Sequence, residues 1–245
     1  MSISLAGVRA PNSERLFYQA MVLSIIAAIV LGFSRSFFLR PLFPGVPSPA
    51  EAWFYVHGAL FTLWLALLFT QVSLVGAGKV ALHRRLGAAG YAIAPLMVAM
   101  GLIGAVIAAR RPGGFIGIPA PPLAFMVVPT YEILLFALLA GAALAWRRAP
   151  QVHKRLIILA SITLIEPAAA RWPFEPYISS PPLAFWTQGA FLIPLVAWDI
   201  YSRKRPHPAT LVGAVLLLTE APLREMIAHT PQWMAFARWS TGLLG

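Results

Sequence analysis

"AWFYVHGALFTLWLALLFTQVSLVGAG", residues 52–78, contains no Asp, Glu, Lys or Arg. Two further stretches, 86–109 and 176–198, are equally free of charge. About 20 consecutive apolar residues suffice to cross the hydrocarbon core of a bilayer as a helix. Each run is therefore long enough to span. The apolar character is continuous rather than alternating, so the spans are helices and not the strands of a barrel. Composition agrees. Of 245 residues, 59% are hydrophobic and 11% charged, against roughly 25% charged in an ordinary soluble domain. The expected fold is all-α, a polytopic membrane helix bundle.

Seven spans are expected, at about 16–38, 51–76, 84–109, 123–147, 152–172, 183–202 and 207–228. They form one transmembrane domain over 1–228. A short tail, 229–245, holds Trp233, Phe236 and Trp239 and is suited to lie in the outer interface. The first apolar segment is too long for the core of a signal peptide and reads as an uncleaved anchor.

Basic residues set the orientation. With the amino terminus inside, Arg9, Arg15, Lys79, Arg84, Arg85, Arg147, Arg148, Lys154, Arg155, Arg203, Lys204 and Arg205 fall on the cytoplasmic side. That is twelve of the 19 Lys and Arg residues, so the positive-inside rule places the carboxyl terminus outside. The net charge of +11 follows from this bias. It suits anionic lipid heads at the inner face, and with no soluble domain to present a surface it does not point to nucleic acid. Trp53, Trp172 and Trp186 at outer ends, and Trp146 and Trp198 at inner ends, fit an aromatic belt. The absence of cysteine excludes thiolate chemistry and Cys-ligated metals. No phosphate loop, HExxH or Gly-x-Ser-x-Gly motif is present, and no catalytic motif was found.

A repeat runs through the second half. "PPLAF" occurs at 121–125 and 181–185, each ahead of a helix entering from outside. Each following hairpin has a histidine at the inner start of its second helix, His153 and His207, and a glutamate thirteen residues on, Glu166 and Glu220. His83 holds the matching place in an earlier, degenerate hairpin. Repeated hairpins of this kind are common in transporter-like folds.

The stretches "FYVHGALFTLW" (54–64), "LHRRLG" (82–87) and "VHKRLIILASITL" (152–164) resemble a group of uncharacterised bacterial multi-pass inner-membrane proteins, a domain of unknown function. The resemblance covers roughly 50 to 172. It implies a bacterial inner-membrane location and brings no activity or functional residues. A fainter similarity to di-haem b-type transmembrane cytochromes rests on histidines on neighbouring helices. It implies His83 and His153, both opening helices on the inner side, as axial ligands of one haem b. A second haem lacks a partner for His57.

The acids carry the sharper signal. Glu132, Glu166 and Glu220 fall well inside expected spans, roughly 9 to 15 Å from their outer ends at 1.5 Å per residue. His57, Tyr131 and Gln188 occupy comparable depths on other spans. An ionisable group near the bilayer centre costs about 2.5 to 3.5 kcal/mol on insertion scales, so several at one depth need partners or water. Glu220 and Arg224 are four apart, on one helical face. Glu166 and Arg171 are five apart, with Pro167 freeing a backbone carbonyl, expected at Thr163. His57, Tyr131, Glu132, Glu166, Arg171, Gln188, Glu220 and Arg224 thus form a candidate pocket in the outer half of the bundle. It would bind or pass a small ligand, an ion or a proton. A metal held by His57 and the glutamates is one version of this reading. Two other readings stay open: a b-type cytochrome, and a structural or partner subunit whose polar groups only hold helices together. Asp199 is expected at the inner interface, near Arg203.

Overall fold

The computed structural model describes residues 12–49, 51–175, 177 and 182–243. Arg9, the last two residues of the tail and parts of 172–182, including the start of the second PPLAF, lie outside them. Among the described residues the regular structure is helical, with no strand. We label the α-helices α1 (Asn12–Phe33), α2 (Ala52–Gly76), α3 (Val80–Gly87), α4 (Gly90–Arg110), α5 (Pro122–Phe125), α6 (Val127–Ala145), α7 (Pro150–Ile162) and α8 (Ile165–Ala169). They are followed by α9 (Pro182–Ala190), α10 (Leu192–Arg203), α11 (Pro208–Ala228) and α12 (Pro231–Gly242).

Five helical stretches are long and apolar enough to cross a membrane: Asn12–Phe38, Ala52–Gly76, Val80–Arg110, Pro122–Ala145 and Pro182–Arg203. They correspond to five of the seven expected spans. The other two, 152–172 and 207–228, are helical but fall outside this set. The first is interrupted after the 13 residues of α7, and α11 carries Glu220, Arg224 and Glu225.

Proline explains where the helices break. A proline inside a helix lacks the N–H for the bond to the carbonyl four residues back, and its ring clashes with that carbonyl. α5 gives way to α6 at Met126, three residues before Pro129. The gap at Thr163 and Leu164, between α7 and α8, lies just ahead of Pro167. α9 stops at Phe191, ahead of Pro194. Pro95 and Pro222, by contrast, sit within continuous helices.

Hairpin neighbours pack on one another, α1 on α2, α2 on α4, α4 on α6 and α6 on α7, while α8 lies between α1 and α9 and α11 crosses α6 and α7. The core runs through these contacts, from Met21, Val22 and Ile25 on α1 through Trp64 and Met97 to Phe136, Leu159, Ile165 and Leu195. Two glycines permit the closest approaches. A Cβ on Gly32 would stand 2.1 Å from the Ala168 carbonyl oxygen, so α1 presses directly on the backbone of α8. The Trp172 indole pins the same contact by donating to the Ala28 carbonyl at 3.0 Å. On the other side, a Cβ on Gly213 would meet the Leu159 side chain at 2.4 Å, which brings α11 against α7.

One end of the bundle gathers the basic residues. Arg15 reaches the Gly76 carbonyl at 3.5 Å, Lys154 pairs with Glu14, and Arg155 pairs with Asp199. The opposite end holds the 110–122 loop, whose Arg111 grips Glu51 at 2.7 and 3.1 Å and lies 4.5 Å from the Phe54 ring. These contacts tie the loop to the start of α2. α12 covers the same end, with Trp233 donating to the Leu123 carbonyl at 2.8 Å.

The buried position of Asp199 corrects the expectation of an interfacial acid near Arg203. Asp199 is fully buried, as is Arg155. The Arg155 Nε donates to Oδ1 at 2.9 Å, while the His207 amide and the Thr210 hydroxyl donate to Oδ2 at 3.0 and 2.6 Å. Asp199 thereby closes the start of α11. The hydrophobic run around Trp198 carried the acid inward to a partner 44 positions away in sequence.

Candidate functional site: a carboxylate cluster around Arg224

Arg224 projects from α11 into the meeting point of α6 and α8. Its Nη1 donates to Glu132 Oε1 at 3.0 Å, and its Nη2 donates to Glu166 Oε1 and Oε2 at 2.8 and 3.1 Å. One guanidinium therefore clamps two carboxylates from two other helices, the fork geometry that arginine supplies and lysine cannot. The break before Pro167 gives α8 its own course, and the pressure of Gly32 on Ala168 fixes it.

Glu220, one turn before Arg224 on α11, turns to a different partner. It is fully buried and accepts from the Gln188 side-chain amide of α9. Glu166 lies within electrostatic reach of it. The pairing of Glu220 with Arg224 expected from their spacing is thus not the one formed: among the described residues, the ion pairs of Arg224 are to Glu132 and Glu166. Across a bundle the arginine reaches acids that are convergent, and its own helix offers only a neighbour pointing along the same face.

Five of the eight candidate pocket residues, Glu132, Glu166, Gln188, Glu220 and Arg224, come together here. Three do not join their hydrogen bonds. Arg171 donates to the Pro167 carbonyl one turn back at 2.5 Å and lies 5.2 Å from the Phe33 ring, within electrostatic range of Glu132. The carbonyl it takes belongs to Pro167 itself. Tyr131 packs against the apolar core. His57 stacks on Phe61 at 4.1 Å, and its buried Nδ1 makes no hydrogen bond. The Trp53 Nε1 is likewise buried without a partner, and both nitrogens face the bare Cα of Gly104, 3.8 and 3.9 Å from where a Cβ would be. No sequence signal marks that second convergence.

Within the cluster three buried polar atoms lack partners: Glu220 Oε2, Gln188 Oε1 and Arg224 Nε. Buried polar atoms are nearly always hydrogen-bonded, to protein or to water. Metal ligation by these acids does not fit their arrangement. The carboxylates converge on a guanidinium, and among the described residues no three His, Asp or Glu side chains are placed to hold a metal ion together. His57 with the glutamates is therefore not a metal centre here.

The two histidines weighed as haem ligands lie at the basic end. His153 Nδ1 is 2.8 Å from the Ala143 carbonyl, which directs Nε2 away from α6. Around His83, the Gln71 amide, oriented so that both its ends are satisfied, donates to the His83 carbonyl at 2.9 Å and to Nδ1 at 2.5 Å. In that arrangement the hydrogen of His83 is on Nε2, the atom iron would need, so ligation requires Gln71 to turn. The repeat partner of His153 behaves differently: His207 caps α11, its Nδ1 accepting from the Ala209 amide at 3.0 Å.

Comparison with protein-family models, curated proteins and solved structures gives no match. The reading of the site rests on its own chemistry.

Proposed function

We propose that this protein is a non-catalytic, seven-span protein of the bacterial inner membrane, amino terminus cytoplasmic, whose cluster of Glu132, Glu166, Glu220, Gln188 and Arg224 binds or passes a proton or another small polar species. One observation carries the reading. Three acids from three helices are grouped around a single buried arginine inside the helix bundle, and part of the hydrogen-bonding capacity of Glu220 and Gln188 is unused. Ionisable residues at such depth are expensive, and where they occur they mark ion, proton or ligand pathways by default. A purely structural pair would need neither the third acid nor the idle oxygens. Reporters fused after Arg85, Arg155 and Arg205 test the orientation and should read cytoplasmic, with a carboxyl-terminal reporter periplasmic.

The functional test is an imposed pH gradient across proteoliposomes containing a trapped pH-sensitive dye. Wild type should dissipate the gradient faster than empty vesicles, and Glu166→Gln should remove the difference. A wild type that matches empty vesicles, with or without added sodium or potassium, removes the conducting form of the reading. If, in addition, no pH and no small cation or anion changes its melting, the binding form goes too.

A further inference from the structure

The charge balance of the cluster points to an occupant. Glu132, Glu166 and Glu220 bring three carboxyl groups around the buried guanidinium of Arg224, while Arg171 is exposed. Fully ionised, the cluster would carry an excess of negative charge in a low-dielectric setting, where unpaired ions are costly. The nearest relief would be a metal ion, but among the described residues no three acids are placed to ligate one.

The hydrogen bonds locate the imbalance. Both Nη groups of Arg224 are taken by Glu132 and Glu166. Glu220 receives one donor, from Gln188, on Oε1, and its Oε2 is buried with none. The Glu166 carboxylate, held by Arg224 one helical turn from Glu220, is within electrostatic reach of it. Two ionised carboxylates so placed repel, and neither can donate to the other. A hydrogen on the unpartnered Oε2 of Glu220 gives the pair a donor and allows a strong charge-assisted bond. It also removes one of the excess charges.

Resting on the reading above, we infer that Glu166 and Glu220 form a carboxyl–carboxylate pair that holds one exchangeable proton, with Arg224 and Glu132 as its fixed electrostatic frame. Proton uptake makes an O–H bond on Glu220 and a hydrogen bond to Glu166. Release breaks that O–H bond and returns the proton to water. Glu166 is the entry side, its side chain being 13% exposed, while Glu220 is fully buried. The groups facing the pair are Arg224 on α11, Glu132 on α6, Gln188 on α9 and Arg171 after α8. Gln188 orients Glu220 by holding Oε1 and leaving Oε2 for the proton.

Infrared difference spectroscopy of the purified protein through a pH titration reads this directly. The wild type should show, at neutral pH, the carbonyl-stretch band of a protonated carboxylic acid, shifted by D2O and bleached at alkaline pH. Glu220→Gln and Glu166→Gln should each remove it, whereas Glu225→Gln, on the same helix, should retain it. Absence of the band in folded wild type overturns the inference, as does its survival in both Glu220→Gln and Glu166→Gln. Should those variants fail to fold, wild type carrying 13C-carboxyl glutamate decides: one protonated resonance at neutral pH supports the pair, and none overturns it. The two readings fail separately. A titrating band without proton flux in vesicles leaves a proton-binding site that conducts nothing, and flux without the band leaves a pathway that does not store its proton here.

Discussion

Among the described residues two buried arginines bridge helices, and they are built on opposite principles. At the basic end Arg155 and Asp199 form a closed network: both Asp199 oxygens are occupied, and the free Nη1 of Arg155 bonds to Gln151 through its backbone and side-chain oxygens at 2.7 and 2.8 Å. Charges there balance one to one. Toward the other end Arg224 faces three acids, and Glu220, Gln188 and Arg224 itself each keep an idle polar atom. A satisfied network specifies and rigidifies a fold. An unbalanced one with spare acceptors retains somewhere for a proton or a water to go. The two arginines would look alike in a list of buried charges, and only the accounting around each separates glue from site.

The largest expected effect falls on the closed network. Arg155→Met leaves Asp199 buried and unpaired, and thermal unfolding in detergent should show a loss of about 3 to 5 kcal/mol. Adding Asp199→Asn should recover part of that loss. An Arg155→Met protein as stable as wild type would mean the basic end is wetter than its packing indicates.

Arg224→Met should cost less, about 1 to 3 kcal/mol, because the acids left behind can take up protons instead of remaining charged. The couplings sharpen the contrast. Arg224→Met combined with Glu166→Gln should be non-additive by about 0.5 to 3 kcal/mol, as contacting groups are. Combined with Glu220→Gln it should couple more weakly, since Glu220 is not the ion-pair partner of Arg224 and meets it only through the shared Glu166. Coupling at 220 and 224 stronger than at 166 and 224 would restore the same-helix pair and undo the geometry described above.

Glu220→Gln alone should change stability by no more than about 1 kcal/mol, the scale of a single net hydrogen bond. The amide supplies the N–H that a protonated acid would have supplied. A large loss there would make the second region as structural as the first.

The smallest expected signal is optical. Purified protein should be colourless, oxidised or reduced with dithionite. A Soret band abolished by both His83→Ala and His153→Ala would move the functional centre to the basic end and make Gln71 a movable gate.

How far could the residues alone lead? The helical membrane class was written in the charge-free runs at 52–78, 86–109 and 176–198, because hydrocarbon imposes its demand on composition itself. Rise per residue, which converts position into height, was the ground for expecting Glu132, Glu166 and Glu220 near one another, and they do gather around Arg224. Partners were not legible. Helical spacing nominated Glu220 for Arg224, yet the acids that bind it are 92 and 58 residues away in the chain. Asp199 read as interfacial because Arg203 stood one turn on, and nothing local announced Arg155. Height along a helix is a one-dimensional property, whereas rotation about it and the identity of the facing helix are set by packing. Pro167 was read as disturbing its helix, whereas Pro129 and Pro194, each just after a break, were missed; Pro95 and Pro222, inside continuous helices, show why proline alone does not decide.

The Gly32 contact has a further meaning for experiment. A methyl group placed there has nowhere to go except through the backbone of α8, so Gly32→Ala acts as a mechanical wedge driven in behind Glu166. It alters no charge, removes no donor and touches no acid. The first helix, on sequence a mere membrane anchor, becomes the abutment against which the segment carrying Glu166 is braced. Such a wedge lets displacement of the site be studied apart from its electrostatics, a separation that no substitution within the cluster itself can offer.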